Sequence, residues 1–185
     1  MIEVNFAPFP ILSTDRLILR QLESTDENTL FELRSDDRVN QFIDREKPSS
    51  LDDVRNYMDK INSNIQHNKS ILWGIVLKDS NELAGSICLW NISKETAIAE
   101  VGYELLPRFQ QQGIMQEALT HVIKFGFEIM QLQKIEACLE SANIPSVKLL
   151  EKFNFQRDSA AEHKLEEEER KKNIVIYTLS IANSI

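Results

Sequence analysis

Residues 100–118 read EVGYELLPRFQQQGIMQEA, and this stretch decides the fold. Every second residue from Val101 is apolar, which predicts a strand that ends at Pro107, because proline lacks the backbone N–H that a sheet needs. The three glutamines before Gly113 show no apolar period and predict a loop. Apolar residues then recur at helical spacing from Met115. Unpaired amides and the positive end of the helix dipole meet at such a loop, so the stretch predicts an anion site.

Two motifs and the opening of the chain point to one family. The loop, residues 110–115, matches the Q/R-x-x-G-x-G/A signature, and the chain here resembles the GNAT superfamily of acetyl-coenzyme A dependent N-acetyltransferases. The family often has a second glycine where this chain has Gln111. Residues 143–155 match the family's N-x-x-S-x-x-x-x-E-K-x-G-F motif, with Asn154 in place of the glycine. The opening run, TDRLILRQL at Thr14–Leu22, resembles the Rim-type ribosomal-protein N-acetyltransferases, one branch of the superfamily.

This resemblance covers nearly the whole chain and implies a single α/β domain over residues 1–185. The implied GNAT-like fold has a mixed, mostly antiparallel central sheet with helices on both faces. The strand at residues 97–106 and the strand at residues 134–139 would splay apart, and the pantetheine arm of acetyl-coenzyme A would enter between them.

The resemblance also implies which residues hold the cofactor. The amides from Gln111 to Met115 would bind the pyrophosphate, backbone groups of Leu105 and Leu106 would pair with the arm, and Asn143 would reach it from the other side. The full implied set is Leu105, Leu106, Gln110, Gln111, Gln112, Gly113, Ile114, Met115 and Asn143.

Acetyl transfer to an amine needs a base, because free amines are mostly protonated at neutral pH. The resemblance implies Glu100 for this role; the alternative is an ordinary exposed strand residue. A backbone N–H near Leu105 or Leu106 would stabilise the oxyanion. Many relatives use a tyrosine as the acid where this chain has Leu150. Ser146 is then the matching polar residue near the sulfur, unless it only satisfies the first turn of its helix.

Residue patterns predict the other elements. They are a first strand around Leu17–Arg20, a helix capped by Ser24 or Thr25, an irregular segment at 38–50, a helix from Ser50 to about Gln66, a hairpin of 71–77 and 83–90, a helix at 115–130, a helix capped by Asn143, and last strands at 155–160 and 174–181. Arg16 and Arg20 are interpreted as strand-edge ion pairs, because arginine keeps its charge and cannot serve as a base.

Composition restricts the function classes. The chain has 185 residues and a net charge of -8, which argues against nonspecific nucleic-acid binding. The charge allows a cationic partner, although it could equally serve solubility alone. No apolar run approaches the roughly 20 residues of a membrane span. The N-terminus has no signal-like pattern, and Cys88 and Cys138 are isolated, which favours a cytoplasmic location. The His and Cys spacings predict no metal site.

The branch resemblance favours a protein N-terminal amine as acceptor, acetylated by direct transfer in a ternary complex. Two alternatives stay open: a small-molecule amine such as a polyamine, amino sugar or amino acid, or a non-catalytic sensor that binds acyl-coenzyme A. A homodimer is also compatible with the sequence. Phe42, Ile43 and Tyr57 are implied to wall the acceptor pocket, with ordinary core packing as the alternative for each.

Overall fold

The computed structural model describes residues 1–163, 165–167, 169 and 172–183. These residues form one sheet of eight strands in the order β1-β2-β3-β4-β5-β6-β8-β7. The strands are β1 (Leu12–Ser13), β2 (Leu17–Arg20), β3 (Ile71–Leu77), β4 (Leu83–Ser93), β5 (Ile98–Leu105), β6 (Lys134–Glu140), β7 (Gln156–Arg157) and β8 (Ile174–Ser180). Neighbouring strands pair antiparallel except β5 and β6, which are parallel. The mixed, mostly antiparallel sheet is therefore confirmed.

The parallel pair β5 and β6 opens soon after it forms. The two strands pair only at Ile98–Lys134, Ala99–Ile135 and Glu100–Glu136. Beyond Glu100, β5 stays paired with β4, while β6 stays paired with β8 as far as Glu140. The predicted splay is present, and it leaves a gap in the middle of the sheet.

Helices cover both faces of the sheet. They are α1 (Glu27–Ser35), α2 (Asp37–Asn40), α3 (Leu51–Gln66), α4 (Ile114–Lys124), α5 (Ile144–Lys152) and α6 (Ser159–Glu162). Leu72 of β3 lines a cavity together with Tyr57 of α3. The next residue, Trp73, packs edge-on against Phe125 after α4, with ring centres 5.3 Å apart. Because successive strand residues point to opposite faces, α3 and α4 lie on opposite sides.

Several local predictions are confirmed. The side chain of Ser50 accepts from the amide of Asp53 and caps α3, and Asn143 likewise accepts from the amide of Ser146 at the start of α5. Asn154 has the left-handed backbone expected after α5, with φ at 61°. A Cβ on Gly126 would lie 3.1 Å from Ile135 Cδ1, so the expected close approach to the sheet is also present.

Four predicted boundaries are wrong, each for a local reason. Neither Ser24 nor Thr25 caps α1: a 3₁₀ turn comes first, and Asp26 accepts from the amide of Glu23 at 2.8 Å. The segment expected to be irregular contains α2, because Asp36 accepts from the amide of Arg38.

The long helix predicted to Met130 is α-helical only to Lys124. It then widens into a π turn at Phe125–Ile129, where the amide of Met130 donates to the carbonyl of Phe125. The strand predicted at 155–160 is only Gln156–Arg157, because Asp158 caps α6 by accepting from the amide of Ala161. The charged run at 163–173 includes four residues outside the described set, so its predicted hairpin or helical turn stays a prediction.

Candidate active site

The loop between β5 and α4 has the backbone of an anion site. Gln111 and Gly113 both have left-handed backbones, with φ at 60° and 75°, and Gly113 is the N-cap of α4. The amide of Glu117 donates to the carbonyl of Gly113 at 3.0 Å, so the amides of the helix's first three residues precede the first i to i−4 bond. These donors and the helix dipole point the same way, which favours a phosphate group at this loop.

The opening run of the chain holds this loop in place. Arg16 donates from Nε to Glu117 Oε2 at 2.6 Å and from Nη1 to the carbonyl of Gln112 at 3.1 Å. The backbone amide of Arg16 and the hydroxyl of Thr14 also donate to Glu117. Burial alone would raise the pKa of Glu117, but these donors outweigh it and hold the pKa below its ordinary value. Arg16 is thus ion-paired as predicted, but with the first turn of α4.

Most of the residues predicted to bind the cofactor line one cavity of about 540 Å³, called here the loop cavity. Those residues are Leu105, Gln110, Gln111, Gly113, Ile114, Met115 and Asn143. Ser146 also lines it. The structure therefore brings the loop, the end of β5 and the start of α5 together around one space.

Two residues of the predicted set face elsewhere. Leu106 is fully buried, and its amide donates to the carbonyl of Ala84 at 2.9 Å, so that N–H is not free to pair with a pantetheine arm or to stabilise an oxyanion. The Gln112 side chain donates to the carbonyl of Arg108 at 2.7 Å and does not line the loop cavity. The assignment of Leu106 is corrected on that ground, whereas the pyrophosphate contact predicted for the backbone amide of Gln112 stays a prediction. The carbonyl of Leu105 accepts a side-chain hydrogen bond from Nε2 of Gln110 at 3.0 Å.

A second cavity of about 360 Å³, called here the strand cavity, lies at the splay of β5 and β6. Glu100 lines it, as do the predicted wall residues Phe42, Ile43 and Tyr57. The two cavities share residues from three parts of the chain: Phe42, Ile43, Tyr103, Glu104, Asn143 and Ser146. The two cavities therefore adjoin and are together called here the cleft, with the loop lining one cavity and Glu100 lining the other.

The carboxyl of Glu100 has a strongly perturbed pKa. Burial raises the pKa to about 7, while the side chains of Asn91 and Cys138 act in the opposite direction and the charges of Glu136 and Glu169 add to the rise. A carboxyl that titrates near neutral pH can take a proton at working pH and give it up again. Glu100 thus has the acidity that a general base requires.

Two hydroxyl groups, those of Tyr103 and Ser146, belong to residues that line both the strand cavity and the loop cavity. Ser146 lies beside Tyr103, and burial raises the pKa of Tyr103 to about 12, with the Ser146 hydroxyl acting in the opposite direction. Leu150, at the position where many relatives have tyrosine, is fully buried and also lines the strand cavity.

The sequence prediction missed a buried ion pair in this cleft. Arg45 Nη1 lies 2.6 Å from Glu104 Oε2, and the two side chains are only 14% and 7% exposed. Ser86 donates to Glu104 Oε1 at 3.2 Å. Glu104 lies four residues after Glu100 on β5, so the alternation of the strand predicts that both side chains point to the same face. That spacing could have identified Glu104. Arg45 comes from the segment predicted to be irregular, where no periodicity marks a residue as inward-facing.

Comparisons with known proteins agree with this geometry. The family model described as acetyltransferase (GNAT) domain matches residues 16–156. The chain belongs to the GNAT family of acetyltransferases. One relative, described as the uncharacterized N-acetyltransferase YoaA of Bacillus subtilis (strain 168), is 33% identical over 150 residues, covering 81% of this chain and 85% of that protein. Family and relatives confirm an N-acetyltransferase.

Solved structures share the GNAT fold. A GNAT-family acetyltransferase from Bacillus anthracis has a TM-score of 0.75 at 25% identity, covering 92% of this chain and 98% of that one. RimL, described as a ribosomal L7/L12 alpha-N-protein acetyltransferase in complex with coenzyme A, has a TM-score of 0.78 at 18% identity, covering 94% and 99%. GNAT acetyltransferases use acetyl-coenzyme A as acetyl donor.

The residues present fit that donor. At Gly113 a Cβ would lie 3.4 Å from Arg16 Nη2 and would need a left-handed backbone, so glycine suits the turn that leads into α4. The described helices include none long and apolar enough to cross a bilayer. Among the same described residues, no group of His, Cys, Asp and Glu is arranged to hold a metal ion.

Proposed function

We propose that the acceptor of this GNAT acetyltransferase is the amine at a protein N-terminus, acetylated by direct transfer in a ternary complex. Glu100 carries the part of the proposal that concerns direct transfer: a carboxyl with a pKa of about 7 lies in a cavity that adjoins the loop cavity. The Rim-like opening run and the likeness to RimL, whose description names an alpha-N-protein acetyltransferase, support the choice of acceptor. The two free cysteines, Cys88 and Cys138, support a cytoplasmic location.

Each residue then has one role. Acetyl-coenzyme A supplies the activated acetyl group, with its phosphates at the loop of Gln111 to Met115. Asn143 and the backbone of Leu105 lie along the cleft where they can orient the arm. Glu100, as carboxylate, takes the proton of the acceptor ammonium, so that a neutral amine can attack. Ser146 would be the polar group beside the leaving sulfur.

A thiol-release assay tests the acceptor class. The panel contains peptides with a free N-terminus, the same peptides with a blocked N-terminus and an internal lysine, and small amines: a polyamine, an amino sugar and free amino acids. We expect release of coenzyme A only with free N-terminal peptides. Release with small amines alone would replace the proposed acceptor with a small molecule. Tight binding of coenzyme A without release in any arm would indicate the sensor and contradict catalysis.

A further inference from the structure

Tyr103 occupies a position in the cleft that neither of the other two tyrosines shares. It lines both the loop cavity and the strand cavity, so it lies where the two meet. Tyr57 lines only the strand cavity, and the guanidinium of Arg34 covers its ring at 3.6 Å. Tyr177 lies on β8, and its hydroxyl donates to Glu151 at 3.3 Å. Only Tyr103 can therefore reach a group that passes from the loop cavity toward Glu100.

The contact with Ser146 leaves the Tyr103 hydroxyl able to donate. A phenol has one hydrogen to give and can also accept. Tyr103 and Ser146 share a side-chain hydrogen bond, and either hydroxyl can rotate to donate. When Ser146 donates to the phenol oxygen, the hydrogen of Tyr103 is available to the cleft. Leu150 has no polar atom in its side chain, so no donor comes from that position of α5.

We infer that Tyr103 donates a hydrogen bond to the leaving sulfur of coenzyme A and that Ser146 acts as a positioning residue for the Tyr103 hydroxyl. This inference rests on the proposed function and names a further residue of the same site. The hydrogen bond to sulfur then comes from strand β5, and not from α5, where many relatives have their tyrosine.

Tyr103 acts as a hydrogen-bond donor and not as an acid. Burial raises its pKa to about 12. Thiols titrate below that value, a cysteine thiol at about 8.5, so a proton on this phenol would not move to the thiolate. The C–S bond breaks with its electron pair on sulfur, the thiolate leaves under the hydrogen bond, and it takes its proton from water. Nitrogen loses two protons: the ammonium proton goes to Glu100 before attack and then to solvent, and the second goes to water as the tetrahedral intermediate collapses to the amide. Because the thiolate takes one proton from water, the reaction releases one proton in total, and the charges balance.

Binding measurements without any acceptor test this inference. Calorimetry compares coenzyme A with desulfo-coenzyme A, which lacks the sulfur, at a pH above the titrated pKa of the coenzyme A thiol. A hydrogen bond to a charged acceptor should make wild-type protein prefer coenzyme A by about tenfold. Tyr103→Phe should bind both ligands equally. Ser146→Ala should keep most of the preference. Tyr177→Phe, a matched control away from the cleft, should keep all of it.

The outcomes separate the inference from the proposed function. A preference that survives in Tyr103→Phe, or is absent in wild type, overturns the role of Tyr103. A preference lost in Ser146→Ala but kept in Tyr103→Phe assigns the contact to Ser146 and also overturns it. Failure of wild-type protein to bind either ligand contradicts the proposed function itself. Equal thermal midpoints for the two tyrosine variants would show that Tyr103→Phe is folded.

Discussion

Gln111 holds a backbone conformation that its side chain disfavours. Its φ is 60°, in the left-handed region that glycine enters freely. Residues with a Cβ lose about 1–2 kcal/mol there relative to the right-handed region. The family often has glycine at this place, and the backbone of Gln111 gives the physical reason. The chain keeps the loop shape and accepts the local strain.

Two substitutions of Gln111 measure that strain. Gln111→Gly and Gln111→Ala both remove the polar side chain, and only the alanine keeps the Cβ that the left-handed backbone disfavours. Gln111→Gly should therefore be at least as stable as Gln111→Ala, although glycine adds flexibility to the unfolded chain that elsewhere costs about 0.5–1 kcal/mol. Urea denaturation of both variants gives the difference, and a Gln111→Gly protein less stable by that amount would count against the strain.

Single residues of the cleft were predictable only where a motif or an alternation marked them. Glu100 came from the resemblance, and it lies in the cleft. The role predicted for Leu106 was wrong because the pairing of β4 with the end of β5 decides which amides are free. The amide of Leu106 pairs with Ala84, which is distant in the sequence. Tyr103 follows the apolar alternation of β5, but that alternation does not show that its side chain lies at the gap between β5 and β6.

At the scale of elements, Glu117 joins the opening strand to α4. It accepts from Thr14 and from two groups of Arg16. Glu117→Gln should lower the free energy of unfolding by about 1 kcal/mol, since the pair is partly exposed, and should weaken coenzyme A binding because the loop loses an anchor. Glu128→Gln is the control: within the part of the chain that the structure describes, Glu128 has one ion pair, with Lys124, which is exposed and 3.9 Å long. Equal effects of both variants would contradict this role.

The same carboxylate predicts a pH dependence of stability. The pKa of Glu117 is lower in the folded protein than in the unfolded chain. Its contribution is therefore present above the unfolded pKa, about 4.3, and is lost as the pH falls. Denaturation midpoints of wild type and Glu117→Gln should converge below about pH 4 and diverge above it. A constant gap across this range would contradict the linkage.

Gly85 allows β4 and β5 to approach each other at the end of the cleft. A Cβ there would lie 2.1 Å from the carbonyl oxygen of Glu104 and 2.9 Å from the Cα of Leu105. Gly85→Ala should cost about 3 kcal/mol or more, because backbone must move, and should weaken coenzyme A binding by shifting Leu105.

Gly74→Ala is the matched control for that substitution. The two close contacts of the new Cβ would be side-chain ends, Leu22 Cδ2 and Leu83 Cδ1, both at 2.9 Å, which can rotate away, and the carbonyl oxygen of Arg20 would lie at an ordinary 3.7 Å. We expect a smaller loss of stability and unchanged coenzyme A affinity. A Gly85→Ala protein as stable as Gly74→Ala would show that the strands are not in tight contact.

Elements with strong local signals were predicted well. The caps at Ser50 and Asn143, the hairpin of β3 and β4, and the turn at Asn154 depend on short-range chemistry. The errors fall where two local signals compete. Asp158 could extend β7 or cap α6, and the cap formed. The π turn after α4 has no mark in the sequence, because its residues keep a helical apolar pattern.

At the scale of the whole molecule, the cleft exists because β5 and β6 share only three paired positions. Residues from the loop, from α5 and from the segment before α3 then meet across the gap. The resemblance predicted this splay, since no local pattern reports how far two distant strands stay paired. The Arg45–Glu104 ion pair was missed for the same reason: its partners are 59 positions apart in the printed sequence.

The most direct test of the central claim is the pH dependence of kcat/KM for wild type and Glu100→Gln. With Glu100 as the base, wild-type activity should rise with pH through about 7, and this limb should stay in place when acceptors of different amine pKa are compared. Glu100→Gln should lose that limb and about a hundredfold in kcat, with coenzyme A affinity unchanged. A variant with the kinetics and pH profile of wild type would remove Glu100 from the mechanism.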